Sequence, residues 1–128
     1  MLRVETYNGQ KSANFYIQCK GNYSGRPLKK PIPNCFAVYT NNPLAFEIVY
    51  CLFKGKLFEY YIIGSVIPFI RISAVKKILE QYLIVEFCEK KLKAIQGIDE
   101  LLTLKQEQIK TLMDLQTAFA LESIKAVK

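Results

Sequence analysis

The sequence predicts an α+β fold, in which a small sheet with one packed helix forms a head and a long amphipathic C-terminal helix or helical hairpin follows it. In residues 1–72, short apolar segments alternate with clusters of Gly, Pro and Asn, a pattern typical of strands and turns. In residues 73–128 no proline occurs and apolar residues recur at spacings of three and four, as in amphipathic helices. We therefore expect a small α/β head at 1–72 and a helical tail at 73–128, which either completes the same folding unit or serves dimerisation.

Three segments of the head have the pattern of strands. Residues 2–7 are typical of a short first strand, and Asn8-Gly9 after them is a turn signal. Residues 13–20 alternate between apolar odd-numbered and more polar even-numbered positions, which predicts a half-buried strand with one face in water. Residues 35–40 are apolar on both faces, and this favours a central strand.

The segment 21–34 is predicted to be a loop that no regular element crosses, because it contains two glycines and three prolines. It also holds the densest basic cluster of the first half, Arg26, Lys29 and Lys30, with Tyr23 nearby. Two interpretations stay open. The cluster either clamps a phosphate backbone, with the tyrosine available for stacking, or is a proline-stiffened connection whose charges are merely solvated.

A largely buried helix is predicted from Pro43 to Phe58. Asn42 before it is a favourable cap, and Pro43 suits the first helical position because its missing N–H costs nothing there. Apolar residues widen the helical stripe, while Lys54 and Lys56 are expected to be exposed near its end.

The next stretch, Ile62–Ile72, combines a long apolar run with a glycine and a proline. It predicts a buried strand that begins at Val66 after a turn at Gly64-Ser65. Pro68 cannot donate a ladder hydrogen bond, so we expect this strand at the edge of the sheet. Arg71 is the last charge before the tail and a candidate anion contact.

The tail is predicted to begin with Ser73 as an N-cap and to present a heptad-like seam. The seam advances by alternate steps of three and four and contains Lys105 and Gln116 among apolar residues. It is roughly 36 Å long at 1.5 Å per residue, more than a small head can cover, and therefore predicts a partner helix. That helix is an earlier part of the tail folded back at Gly97 or, as we favour, a second copy. The predicted oligomerisation residues are Ile95, Ile98, Leu102, Ile109, Leu112 and Phe119.

The net charge of +7 is concentrated in the first half of the chain. Such an excess suits an anionic partner such as duplex DNA, although it also keeps a small apolar domain in solution. The predicted nucleic-acid contacts are Lys20, Arg26, Lys29, Lys30, Lys54, Lys56 and Arg71. The N-terminus lacks a signal-peptide core, and the longest nearly uncharged runs, about eleven residues, are shorter than the roughly 20 that span a bilayer. We therefore expect a cytoplasmic protein without a membrane partner.

Several chemistries are excluded or disfavoured. The chain contains no histidine, which rules out Ser-His-Asp and Cys-His catalysis within it. Neither a phosphate-binding P-loop nor a dinucleotide-binding glycine motif occurs. The four cysteines are widely spaced without a C-x-x-C pair, which favours buried structural thiols over a zinc site. We expect a protein that is not an enzyme and has no cofactor, no metal and no small-molecule substrate.

The chain resembles the specificity subunits of type I restriction–modification systems. Residues 34–57 followed by 64–68 are similar to the closing part of a target recognition domain. Residues 78–84 are similar to the opening of the spacer helix, and 95–102 with the tail after them to the spacer itself. The first half of a recognition domain and the proline-rich approach to the spacer have no counterpart here. The resemblance therefore implies a related fold and a dimeric spacer more than sequence-specific reading. The chain also resembles small bacterial proteins of unknown function.

Two functions follow as hypotheses. The first is a DNA-binding, restriction-specificity-like module that self-associates through its C-terminal helix. The alternative is a protein-interaction or scaffold protein that does not bind nucleic acid. The two differ in whether salt-sensitive binding to duplex DNA occurs.

Overall fold

A computed structural model describes residues 1–10 and 12–127 and has the predicted α+β architecture, with a small antiparallel sheet, short helices and a long C-terminal helix. The strands are β1 Leu2–Thr6, β2 Phe15–Gln18, β3 Pro27–Leu28, β4 Cys35–Thr40, β5 Ile62–Ile63 and β6 Phe69–Ile70. The helices are α1 Ala45–Lys54, a 3₁₀ helix Leu57–Tyr61, α2 Ile72–Tyr82 and α3 Glu89–Lys125.

The chain forms two compact units, the first from Met1 to Leu92 and the second from Lys93 onwards. The first unit extends beyond the head predicted at 1–72 because α2 belongs to it. Val75, Ile78 and Leu79 of α2 are buried in the same apolar core as the sheet.

The main sheet is antiparallel with the strand order β1-β4-β2-β3. As predicted, the apolar strand β4 lies in the interior of the sheet. It pairs with β1 from Leu2↔Thr40 to Thr6↔Phe36, and with β2 from Phe15↔Val38 to Gln18↔Cys35. This register places alternate residues of each strand on a shared face.

Both faces of the sheet are partly covered. On one face, Phe15 and Val38 join the core that contains the helices, and the Phe15 ring meets Phe46 of α1 edge-on at 5.7 Å. On the other face, Tyr16 is only 7% exposed and packs in a second, smaller cluster with Cys35. The prediction that one face of residues 13–20 lies in water is therefore wrong at Tyr16, because side chains of flanking segments, such as Ile32, pack over it.

The loop 21–34 contains a short regular element after all. Pro27–Leu28 forms β3 and pairs with β2 through Tyr16↔Leu28 and Ile17↔Pro27. The strand lies at the edge of the sheet, where a proline is tolerated because its missing donor is not needed on the outer side.

The stretch Ile62–Ile72 is not a buried strand. It is a hairpin in which β5 and β6 pair through Ile62↔Ile70 and Ile63↔Phe69. Gly64 makes its turn with φ of +100°, and an added Cβ would lie 2.5 Å from the Ile67 carbonyl oxygen. The run fails as a buried strand because this turn reverses the chain after two residues and leaves the residues at its end in solvent. Ile70 alone in this stretch is fully buried.

The helix predicted at 43–58 is shorter than expected. The Asn42 side-chain oxygen accepts a hydrogen bond from the Leu44 N–H at 2.9 Å. However, α1 begins at Ala45 with Leu44 at its N-cap and no side-chain cap, so the prediction that Asn42 caps the helix is wrong. The helix ends at Lys54, and Lys56 adopts left-handed φ and ψ of 64° and 23° before the 3₁₀ helix. Gly55, a poor helix former, coincides with this end.

The tail contains two helices, and their break is not at Gly97. Helix α2 begins at Ile72 with Arg71 at the N-cap, so Ser73 lies inside the helix rather than capping it. Residues 83–88 separate α2 from α3, and α3 then continues through Gly97 without interruption. An added Cβ at Gly97 would meet no heavy atom within 4 Å.

Candidate functional site

The residues predicted to contact nucleic acid all lie in the first unit, and six of the seven are exposed. Arg26 is the exception and is half-buried. Lys30 and Lys56 lie on exposed loop positions. The contacts of the other residues divide them between two faces of the sheet and separate Arg26 from Lys29, which the sequence places in one basic cluster.

Lys20 and Arg26 lie on one face of the sheet. The Gln18 N–H donates to the Arg26 carbonyl at 3.0 Å, and Arg26 Nη2 donates to Gln18 Oε1 at 3.0 Å. The two side chains are therefore cross-strand neighbours on the same face. Lys20 follows Gln18 by two residues and shares that face, because side chains alternate along an extended strand.

Arg71 joins the same face through β6. Phe69 forms an antiparallel bridge with Lys20, and the Ile70 N–H donates to the Cys19 carbonyl at 2.9 Å. Arg71 is two residues beyond Phe69 and has extended φ and ψ of −81° and 147°. By the same alternation it points to the side of Lys20.

Lys29 and Lys54 lie on the opposite side, against helix α1. The Lys29 ammonium is 5.1 Å from the centre of the Phe46 ring, and the Lys54 ammonium is 5.5 Å from the centre of the Tyr50 ring. The two aromatic residues are one helical turn apart and share one side of α1. Because Phe46 packs on Phe15, this surface is on the α1 side of the sheet. A ligand on one face cannot reach both pairs of cations.

Arg26 is held by its neighbours more firmly than a free surface arginine. Its guanidinium lies 4.7 Å from the centre of the Tyr23 ring, while Nη2 donates to Gln18. Its Nε is buried without a hydrogen-bond partner among the described residues. Tyr23 is 56% exposed, so the outer side of its ring is open to stacking by a base. The proximity of Tyr23 suggested by the sequence is thus present.

Sequence reasoning missed Arg3. Its guanidinium lies 4.2 Å from the centre of the Tyr39 ring, and its Nε is 3.1 Å from Glu5 Oε1. Arg3 pairs with Tyr39, whose face continues along β4 to Cys35 and across to Gln18. Arg3 therefore lies on the face of Lys20 and Arg26. The available signal in the sequence was the alternation of residues 2–7, which places Arg3 on one face of its own strand. It does not show which residues of other strands share that face.

We call Arg3, Lys20, Arg26 and Arg71 the basic sheet face. Two of its arginines are stacked on tyrosines. Glu5, two residues from Arg3 on β1, offsets part of the charge at the β1 edge through its ion pair with Arg3. The face offers cations and aromatic rings but no paired carboxylates, so its chemistry suits binding of an anion rather than acid–base catalysis.

The second unit carries the predicted apolar seam on one continuous helix. Among the residues proposed for oligomerisation, Ile95 is half-buried and the other five are 52–65% exposed. Leu101, Leu104 and Leu115 widen the apolar side and are also at least half exposed. These side chains give α3 one apolar side that is largely exposed.

The described residues of the first unit include few features of a small-molecule site. A cleft of about 250 Å³ next to β1 and α2 is lined mostly by apolar side chains, with Glu80 as its carboxylate. Such a volume is below the range of about 300–1,000 Å³ typical of ligand pockets. Among the described residues no group of three or more His, Cys, Asp or Glu side chains is suited to holding a metal ion. In the same residues, no helix has the length and apolar character needed to cross a membrane.

The four cysteines are free and differ in accessibility. Cys35 is buried, as expected of a structural thiol, whereas Cys88 is exposed and departs from that expectation. Burial raises the pKa of the Cys19 and Cys35 thiols above the ordinary value. These two side chains are therefore poor nucleophiles at neutral pH.

The sequence model of the Family of unknown function (DUF6943) matches residues 4–122. No curated protein and no solved structure matches the chain.

Proposed function

We propose that this chain, which belongs to the Family of unknown function (DUF6943), is a non-catalytic binding module. In this proposal α3 associates with a second copy, and the basic sheet face binds duplex DNA. The observation that carries it is the seam of α3, which is apolar except at Lys105 and Gln116 and whose apolar side chains from Ile98 onwards are at least half exposed.

The seam favours association because of the apolar area it leaves in water. Fully burying a Leu, Ile or Phe side chain is worth about 1.5–3 kcal/mol. A pair of helices brings together twelve such side chains, six from each copy. Even partial burial of these twelve side chains yields a free energy comparable with the roughly 4–15 kcal/mol that association costs.

Sedimentation equilibrium of the full chain tests this association, with Leu102→Asp as the disruptive variant. A charge in the seam would be buried in the dimer without a partner, so we expect the dissociation constant to rise at least about tenfold. Leu121→Asp is the matched control, because both leucines are 52% exposed. Leu121 lies outside the seam, about 200° around the helix from Phe119. A monomeric wild-type chain at high micromolar concentration, or equal effects of the two variants, would contradict the proposal.

Binding to DNA is supported by the four cations on one sheet face and by the net charge of +7. Contacts with phosphates release counterions, so the affinity should fall steeply as salt rises. The two stacked arginines are already held in position, which lowers the entropy lost on binding.

Fluorescence anisotropy with a labelled duplex at about 50 and 200 mM salt tests this part. We expect Lys20→Ala with Arg71→Ala to weaken binding and to reduce the salt slope by about two, since each phosphate contact contributes about one. The control is Lys29→Ala with Lys54→Ala, which removes two cations from the α1 side and should leave the slope nearly unchanged. Absence of binding by the wild-type chain at low salt and micromolar protein would disprove DNA binding.

The restriction-specificity resemblance fits this proposal, because it combines a recognition head with a helix that pairs. We also propose that the protein acts in the cytoplasm, a reducing compartment that would keep its four thiols free. The test of the resemblance is co-purification of the tagged chain with a DNA methyltransferase from its natural host. Failure to recover one would remove support for the resemblance and leave the DNA test above intact.

The alternative function is a scaffold whose α3 binds a helix of another protein. The apolar side of α3 is wider than the two-position seam of a simple pair, since Leu101, Leu104 and Leu115 flank it. This function predicts a wild-type chain without salt-dependent DNA binding and a protein partner whose capture is lost with Leu102→Asp.

A further inference from the structure

The hairpin formed by β5 and β6 exposes apolar side chains at its end. Val66 is 90% exposed, Ile67 is 62% exposed and Ile63 is 38% exposed. We call these three residues the hairpin tip. Apolar residues grouped at a protruding turn, rather than scattered singly, indicate a surface that contacts another molecule.

The backbone holds the hairpin tip in place. Gly64, with φ of +100°, brings the chain so close to the Ile67 carbonyl that no side chain fits. The Gly21 N–H donates to the Pro68 carbonyl at 2.8 Å, which anchors the hairpin to the loop after β2. The exposed apolar side chains are therefore presented on a fixed turn, and their ordering costs little when they bind.

Charge at the base of the hairpin indicates the kind of partner. No charged residue occurs between Glu59 and Arg71, so the tip itself is neutral. Lys20 pairs with Phe69 behind the tip, and Arg71 follows one residue after β6. Both cations are exposed. An apolar end with cations behind it is complementary to a molecule with an anionic rim and an apolar interior.

We propose that the hairpin tip is a wedge that enters the minor groove of duplex DNA and inserts between neighbouring base pairs. This inference rests on the proposed DNA binding and adds the way in which the duplex is held. Isoleucine side chains are among those that open a base step from the minor groove and kink the duplex. Lys20 is level with Phe69, about 7 Å behind Ile67 along the strand. This spacing is close to the roughly 7.5 Å depth of the minor groove, so phosphates at its rim come within reach of Lys20 and Arg71.

The experiment uses the full chain and a duplex that carries 2-aminopurine at a flexible TA step and a fluorophore pair at its ends. We expect the wild-type chain to raise 2-aminopurine fluorescence and to shorten the end-to-end distance. The variant Val66→Ser with Ile67→Ser should lose both signals and bind about 5–10-fold more weakly. Its salt slope should stay unchanged because the phosphate contacts remain.

Ile84→Ser is the matched control, since Ile84 is 86% exposed and lies outside the hairpin. It should behave as the wild-type chain does. Thermal melting followed by circular dichroism checks that the variants remain folded, as expected for changes at exposed positions.

Two outcomes would overturn the wedge while DNA binding stands. The first is wild-type binding without unstacking or bending, and the second is a tip variant that bends DNA as the wild type does.

Flotation with vesicles containing phosphatidylserine tests the competing partner, a membrane surface. Loss of vesicle binding in the tip variant with unchanged DNA affinity would assign the tip to a membrane surface instead. If the wild-type chain binds no duplex, the proposed function fails together with the wedge.

Discussion

Gly25 lies directly against the ring of Phe58, so that a Cβ added at Gly25 would come within 2.7 Å of Phe58 Cγ. Phe58 is 1% exposed and belongs to the main apolar core. The contact joins the turn before β3 to the 3₁₀ helix after α1. It thereby fixes the loop that carries Arg26 against the core.

We expect Gly25→Ala to lower the free energy of unfolding by about 2–4 kcal/mol, measured by urea denaturation. Both backbone strain at φ of +95° and the clash with Phe58 contribute. Gly9→Ala is the control, because Gly9 has φ of +98° but no atom within 4 Å of an added Cβ. It should cost about 1–2 kcal/mol from strain alone. Equal losses in the two variants would mean that the Phe58 contact is not tight.

Gly97→Ala should stabilise α3 by about 0.5–1 kcal/mol, because alanine loses less conformational entropy in a helix than glycine. The added methyl group meets no atom within 4 Å. Helicity at 222 nm during thermal melting measures the effect. Ala94→Gly, also in α3, is the reverse control and should lower stability by a similar amount. A loss of helicity in Gly97→Ala would instead mean that the chain bends at this glycine.

Stability should fall as the pH rises above the ordinary thiol pKa of about 8.5. Burial raises the pKa of Cys19 and Cys35 in the folded chain. The unfolded chain therefore loses these protons first. The contribution of the two thiols to the free energy of unfolding is complete below their pKa in the unfolded chain. It is lost as the pH rises through their pKa in the folded chain.

The measurement for the thiols is the urea midpoint at several values between about pH 7.5 and 9.5. Cys35→Ala should flatten the decline, although it also leaves a small cavity at every pH. Cys88→Ala is the control and should leave the decline unchanged, because Cys88 is exposed. A decline that is the same in all three proteins would assign it to other groups.

Lys105→Leu should tighten self-association about tenfold or more, because a charged side chain at a seam position destabilises the helix pair. Lys105 stands between Leu102 and Ile109 in the seam, and all three lie on α3. Sedimentation velocity across a concentration series provides the readout. Lys110→Leu adds the same apolar volume outside the seam and should have a much smaller effect. If both variants associate equally, added hydrophobicity rather than seam position is responsible.

The spacing of apolar residues was sufficient to predict a strand whose two faces have similar surroundings. Residues 35–40 are apolar on both faces, and β4 lies between two strands with both faces covered. The spacing also indicated a helical tail, but it left open whether the chain folds back at Gly97 and did not predict the break between α2 and α3 at residues 83–88. The prediction of a buried strand beginning at Val66 was wrong, because the chain turns back at Gly64 and leaves residues 64–67 exposed, which the apolar composition alone does not show.

The sequence by itself determined the α+β class, the interior strand β4 and the apolar seam of α3, since each depends on the spacing of side chains within one element. Only the tertiary structure decided which charges share a surface. It brought Arg3 to the face of Lys20 and Arg26 through strand pairing, and it separated Lys29 onto the α1 side. The physical reason is that a sheet assigns faces through cross-strand register, a long-range property that distance along the chain does not contain.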